Sequence, residues 1–192
     1  MPLAQTDFIS PPDVIGVTTS FFNGEIGLDP ATSLVANNLV SASKFFTKED
    51  NGLTQPWKSQ SVYLYPPRDL LSDDEQPRDP YLFKKRKRFQ RSAQRIWLET
   101  CLEKYRKNEF EEAIVFLTSS EVALLTTQKI GLDLPLCICK ERPELFIDEP
   151  GMPPLGRTRC FGFIYYFPAS INTETRMGDF INAYSELGRI YY

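Results

Sequence analysis

Apolar and polar positions along this chain follow two rhythms, and segments of each kind alternate. Pro11 and Pro12 precede an apolar run headed by Asp13, Val14 and Ile15, a pattern that predicts a loop entering a helix over about residues 13–22. A short strand is predicted over residues 25–28. Asp29-Pro30-Ala31-Thr32 stops it, and Asp29, Thr32 or Ser33 can cap the next helix. Leu34, Val35, Asn37, Asn38 and Val40 then read as a short helix or turn, and the cluster over residues 47–52 as a turn in which Asn51-Gly52 is the strongest signal. The β-branched and aromatic run Ser61-Val62-Tyr63-Leu64-Tyr65 predicts a strand that ends abruptly at Pro66-Pro67.

Beyond that strand the composition turns acidic at Ser72, Asp73, Asp74 and Glu75, then strongly basic. Such a profile predicts an exposed charged excursion over about residues 69–95. Ile96, Trp97, Thr100, Cys101, Glu103, Lys104 and Tyr105 recur at helical spacing, giving a long amphipathic helix through about Asn108. Three more strands are expected at residues 113–117, 134–139 and 161–167, with a helix over 121–129 and a weaker one around 177–186. Strands alternating with helices imply an α/β fold, a mainly parallel sheet flanked by helices. At 192 residues and 42% hydrophobic, the chain suits a single domain with one well-buried core.

A net charge of −3 advertises no polyanion partner, so any nucleic-acid contact must come from a local patch. No segment approaches the roughly 18 apolar residues of a membrane span, and the N-terminal residues have no leader pattern, which leads to the expectation of a cytoplasmic protein without membrane contact. Cys101, Cys137, Cys139 and Cys160 are few, and Cys137 and Cys139 sit in an apolar run; structural thiols are expected, and no metal site. The chain has no histidine, so any chemistry must proceed without imidazole. Trp57 and Trp97 read as core anchors.

Open sheets of this kind bind ligands beyond the carboxyl ends of their strands, which directs attention to Asp29-Pro30-Ala31 and to Tyr65-Pro66-Pro67-Arg68. Phe8-Ile9-Ser10-Pro11-Pro12-Asp13, then Ile26-Gly27-Leu28-Asp29-Pro30-Ala31-Thr32 with Asn37, then Phe45-Phe46-Thr47-Lys48-Glu49-Asp50-Asn51-Gly52-Leu53 and Gln55-Pro56-Trp57 form an ordered set. In order and spacing the set resembles the N-terminal half of the phage-type DNA adenine-N6 methyltransferases, and a weaker likeness continues to about residue 168. The resemblance implies a class I methyltransferase-like (Rossmann-like) core that binds S-adenosylmethionine and acts on an adenine flipped out of DNA. It implies that Ser10, Pro11, Pro12, Asp29, Pro30, Ala31 and Asp50 line the cofactor pocket. The alternative for Asp29 is a helix cap, and for Asp50 a turn.

At the second strand end the chain departs from that family. Its members place Asp or Asn, two prolines and an aromatic residue there, to accept the adenine amine and stack on the base. This chain has Tyr65, Pro66, Pro67 and Arg68, which replaces both side-chain roles at once. The expectation is therefore a homologue impaired or inactive in methyl transfer that retains cofactor or nucleic-acid binding. An active adenine methyltransferase and a scaffold for a protein partner are the alternatives. The basic run Lys84, Lys85, Arg86, Lys87, Arg88 with Arg91 is the candidate DNA contact; the other reading is a solvated helix face.

Overall fold

The computed structural model describes residues 7–68, 92–129, 134–148, 158–171 and 173–192. Its elements run β1 (Asp7–Ile9), α1 (Pro12–Phe21), β2 (Leu28–Asp29), α2 (Leu34–Val40), β3 (Lys44–Phe45), β4 (Ser59–Leu64), α3 (Ala93–Arg106), β5 (Phe110–Leu117) and α4 (Ser120–Lys129). They continue with β6 (Leu136–Cys139), β7 (Glu144–Asp148), β8 (Thr158–Arg159), β9 (Phe163–Phe167), α5 (Thr173–Tyr184) and β10 (Gly188–Tyr191). A mixed seven-stranded sheet orders them β10-β6-β9-β5-β4-β2-β3, and a small antiparallel sheet, β1-β7-β8, stands apart from it.

The sequence signals act locally as physical chemistry requires. Pro12 occupies the first turn of α1, where a missing N–H is harmless, and Ile15 N donates to Pro11 O at 3.1 Å. Ser33 caps α2 by accepting from Ala36 N, and Ser92 caps α3 by accepting from Arg95 N. Residues 92–95 were expected to close the charged excursion; they instead form this cap and the first turn of α3. The rest of the excursion, residues 69–91, lies outside the described residues.

Other boundaries shift too. The strand expected at 25–28 is β2, two residues at Leu28–Asp29, because Gly27 and Ser61 meet through a backbone-to-hydroxyl bond of 2.9 Å rather than a ladder. β4 starts earlier than expected and leaves Tyr65 just past its end, while β5 is longer by three residues at its start. The expectation of a mainly parallel sheet holds for one half. β3, β2, β4 and β5 are mutually parallel, whereas β9 runs antiparallel between β5 and β6, and β10 closes the edge antiparallel to β6.

Strand alternation sends successive side chains to opposite faces. Val62 and Leu64 join Ala113, Val115, Phe163 and Tyr165 in an apolar cluster with Ile96, Trp97, Leu98 and Cys101 of α3. Tyr63 and Tyr65 join Ile114, Phe116, Ile164 and Tyr166 in a second cluster with Val14, Ile15 and Phe21 of α1 and Phe180 and Tyr184 of α5. The sheet is thus covered on both faces. Trp57 and Trp97 are buried and stacked at 6.2 Å, as core anchors should be. Cys101, Cys137 and Cys160 are buried free thiols, and Cys139 is half-buried.

Candidate ligand site at the strand switch point

After β2 the chain builds β3 on one side, then crosses back to place β4 on the other side of β2. The order of strands therefore reverses between β2 and β4. A crevice at the carboxyl ends of two such strands is where open α/β sheets hold their ligands. The ends in question carry Asp29-Pro30-Ala31 and Tyr65-Pro66-Pro67-Arg68. Ser10-Pro11 enters the same region because β1 delivers it directly into α1, which packs on the face bearing Tyr63 and Tyr65.

Register explains why the side chains converge. Leu28 pairs with Val62, so Asp29 stands beside Tyr63, and Tyr63 in turn faces Ile114 and Tyr166 along one row of the sheet. One row further on, the Tyr65 ring lies 5.3 Å from that of Phe116. Asp29 is 2% exposed and accepts from Ala31 N at 3.0 Å through Oδ1. That bond makes it a turn-former and not the cap of α2, which is Ser33, and its burial goes further than a turn requires. Desolvation pushes its carboxyl from the ordinary 3.8 up to about 7, against the pull of the Ala31 amide and the Thr32 hydroxyl. A carboxyl buried beyond need at a switch point suits a ligand cation.

Ser10 and Pro11 are buried and Pro12 is exposed, with the Ser10 hydroxyl beside the Tyr63 phenol. The two oxygens do not meet in bonding geometry. Tyr63 and Tyr65 are the two residues, among those described, whose buried side-chain oxygens have no hydrogen-bond partner. Burial disfavours ionisation of both phenols and pushes their pKa values up, while Arg68 partly offsets this at Tyr65. Both hydroxyls therefore stay protonated at any ordinary pH and are able to donate.

Arg68 is exposed, and its guanidinium stacks over the Phe8 ring at 4.7 Å. That contact ties the end of β4 to the small sheet through β1. Tyr65 packs inward on Phe116, and the exposed Arg68 already has its guanidinium over the Phe8 ring.

Asp50 falls elsewhere in role. It is exposed, and its Oδ2 accepts from Thr47 N at 2.8 Å and Thr47 Oγ1 at 2.9 Å, which holds its carboxyl below the usual range. It closes its own turn. The turn nevertheless supports the site, because Gly52 approaches the back of Pro30. A Cβ at Gly52 would lie 2.0 Å from the Pro30 carbonyl oxygen and 3.1 Å from the Trp97 ring. Gly52→Ala is therefore expected to lower stability by about 2 kcal/mol through overpacking and to displace the Asp29-Pro30 turn. Thermal unfolding checks this, and an unchanged midpoint would mean that the turn slides without cost.

The sequence reading missed Tyr63. Its signal was present, since Tyr63 lies two residues before Tyr65, which continues the line of β4 just past its end, and so shares its face. The basic residues Lys84, Lys85, Arg86, Lys87, Arg88 and Arg91 lie outside the described residues. Among the described residues no group of three or more metal-ligating side chains comes together, and no helix is long and apolar enough to cross a membrane. The chain matches no known family model, and no curated protein matches it.

Proposed function

We propose that this chain is a divergent methyltransferase-fold relative of the phage-type DNA adenine methyltransferases, one that binds S-adenosylmethionine at the switch point without methylating adenine. The observation that carries this reading is the contrast between the two strand ends. At the end of β2, Asp29 remains a buried carboxyl positioned to pair with a cationic or hydroxyl-bearing ligand. At the end of β4, the acceptor that adenine transfer needs is replaced by a phenol packed on Phe116, and the stacking residue by a guanidinium seated on Phe8.

The residues present fit the nucleoside cofactor. Ser10 and Pro11 supply a buried loop at one side, Asp29 a carboxyl at a strand end, and Pro30-Ala31 the turn that Gly52 braces. S-adenosylmethionine, when bound, supplies an electrophilic methyl group. What this chain's own residues do toward it is bind and orient; holding an amine lone pair toward that methyl is the task they lack, and an error of about an ångström there costs about a hundredfold in rate.

Calorimetric titration with S-adenosylmethionine tests the reading, with Asp29→Ala as control. Micromolar binding that the substitution removes, together with no methyl incorporation into adenine-containing DNA, is the expected result. Silence at millimolar cofactor would remove the cofactor from the account. Methyl incorporation would restore the active enzyme in its place.

A further inference from the structure

A native interior rarely leaves a hydroxyl unpaired, because stripping one of water without a partner costs about 1–3 kcal/mol. Tyr63 and Tyr65 leave two unpaired, on the same strand face and at the same strand end. Packing alone does not call for these oxygens. Phenylalanine would fill the same space beside Ile114 and Phe116 without the desolvation cost, and phenylalanine is the commonest aromatic residue of this chain, at 14 against 9 tyrosines. The oxygens therefore point to a polar atom beyond the Ser10 hydroxyl, which lies beside Tyr63 without bonding it.

The surroundings define what that atom belongs to. Both phenols stay protonated and donate; Ser10, beside Tyr63, donates or accepts. Asp29, beside Tyr63 in register, accepts. Hydroxyl donors next to a carboxyl complement a group bearing acceptor oxygens next to a cationic nitrogen. That description fits the zwitterionic end of an α-amino acid.

We propose that Tyr63 and Tyr65 are ligand-binding residues whose hydroxyls, with Ser10, receive the carboxylate of an α-amino-acid-bearing nucleoside while Asp29 receives its ammonium. The inference rests on the cofactor reading above and assigns its polar end to specific groups. It also gives Tyr65 a role in place of the one its position has lost: the phenol faces inward to the ligand's tail rather than outward to a base.

The full chain is titrated calorimetrically with S-adenosylhomocysteine and with methylthioadenosine, which has the same nucleoside and sulfur but no amino-acid end. Wild type is expected to bind S-adenosylhomocysteine at least about tenfold more tightly, the worth of one hydrogen bond to a charged group. Tyr63→Phe and Tyr65→Phe each lose about tenfold for S-adenosylhomocysteine and leave methylthioadenosine unchanged. The unfolding temperature of each unliganded variant holds or rises, because an unpaired oxygen has been removed. A hydroxyl that served only the fold would move stability and leave the ligand preference alone.

Two results overturn the assignment while the cofactor reading stands. One is unchanged S-adenosylhomocysteine affinity in both variants, which would mean that internal water meets the phenols; the other is a wild type that binds both nucleosides equally. Failure of wild type to bind either nucleoside at millimolar concentration overturns both the assignment and the reading beneath it.

Discussion

Replacing Asp29 by Asn is expected to reverse its effect on stability between acid and neutral pH. The direction of the shift sets the sign. The carboxyl titrates near 3.8 in the unfolded chain and at about 7 in the folded one, so between those values the folded protein holds a proton that the unfolded chain has released. The contribution of Asp29 to stability is fully present below about pH 4 and declines as pH rises, with the loss complete above about pH 7. At about 1.4 kcal/mol per pH unit, the decline totals roughly 4 kcal/mol, of which roughly 3 falls between pH 5 and pH 8.

Asn at this position keeps an oxygen for the Ala31 amide but brings an NH₂ group that needs a partner of its own. Asp29→Asn is therefore expected to match or fall below wild type at pH 5 and to exceed it at pH 8. Urea unfolding of both proteins at the two pH values measures the difference, and the other titrating groups cancel in it. Parallel behaviour of the two proteins across that range would show that Asp29 reaches water.

The second large effect is expected on the opposite side of the same sheet face, where α5 meets α1. Arg176 Nη2 lies 2.8 Å from Glu112 Oε1, and its Nε lies 3.2 Å from Oε2, a two-pronged contact with both side chains largely withdrawn from solvent. The same guanidinium donates to Phe21 O at 3.1 Å, stacks over the Phe21 ring at 4.1 Å and reaches Asp179 at 3.1 Å. The Phe21 carbonyl is at the C-terminal end of α1, where a cation is favoured by the helix dipole. Glu112 also accepts from the Tyr166 hydroxyl at 2.8 Å. One cation thus joins β5, α1 and α5.

Removing that cation leaves Glu112 charged, half-desolvated and served by a single phenol. Arg176→Met is expected to cost about 3 kcal/mol, most of it from the carboxylate left behind rather than from the lost contact. Adding Glu112→Gln should recover a large part, because Gln keeps an acceptor for Tyr166 and carries no charge. Denaturant unfolding of the two single variants and the double variant closes the cycle. If the double variant is no more stable than Arg176→Met, the stranded charge is not the source of the loss, and the α1 carbonyl or the ring contact is.

Much of this architecture was legible in the sequence, and the reasons differ by element. α1 announced itself through the two prolines at its entrance, and α2 through Ser33. β4, β5 and β9 were visible as apolar or aromatic runs because both faces of the sheet are covered, so no polar alternation was needed. The small sheet was not visible. Its pairing of Asp7–Ile9 with Phe146–Asp148 joins segments well over a hundred residues apart, and three residues carry too little pattern to predict a strand. β10 was overlooked for a similar reason: Gly188 opens it, its four residues alternate between half-buried and exposed, and a glycine reads as a breaker.

The site was half legible. Ser10, Asp29 and Tyr65 were picked out one by one, and the structure sets all three around Tyr63. Asp50 was expected in the cofactor pocket along with Asp29, with a turn as its alternative, and the turn is what the structure shows. What separates them is the neighbour that long-range pairing provides: β4 covers Asp29, while Asp50 has Thr47 and solvent. The same pairing hid the meaning of Tyr63, whose lack of a partner is a property of its tertiary surroundings and of nothing in its own segment.

The crossing of the chain at the switch point also bears on how quickly the protein can assemble. β2 has no neighbour on its inner side until β4 arrives, and β4 comes only after the excursion through α2 and β3. Docking β4 is the step that strips water from Asp29, so the proton held at Asp29 is taken up at that step. If the β2–β4 ladder is part of the folding transition state, a rise in pH slows refolding; if the ladder closes afterwards, the same rise hastens unfolding. The titration of one buried acid thereby becomes a clock hand for the moment at which two parallel strands meet.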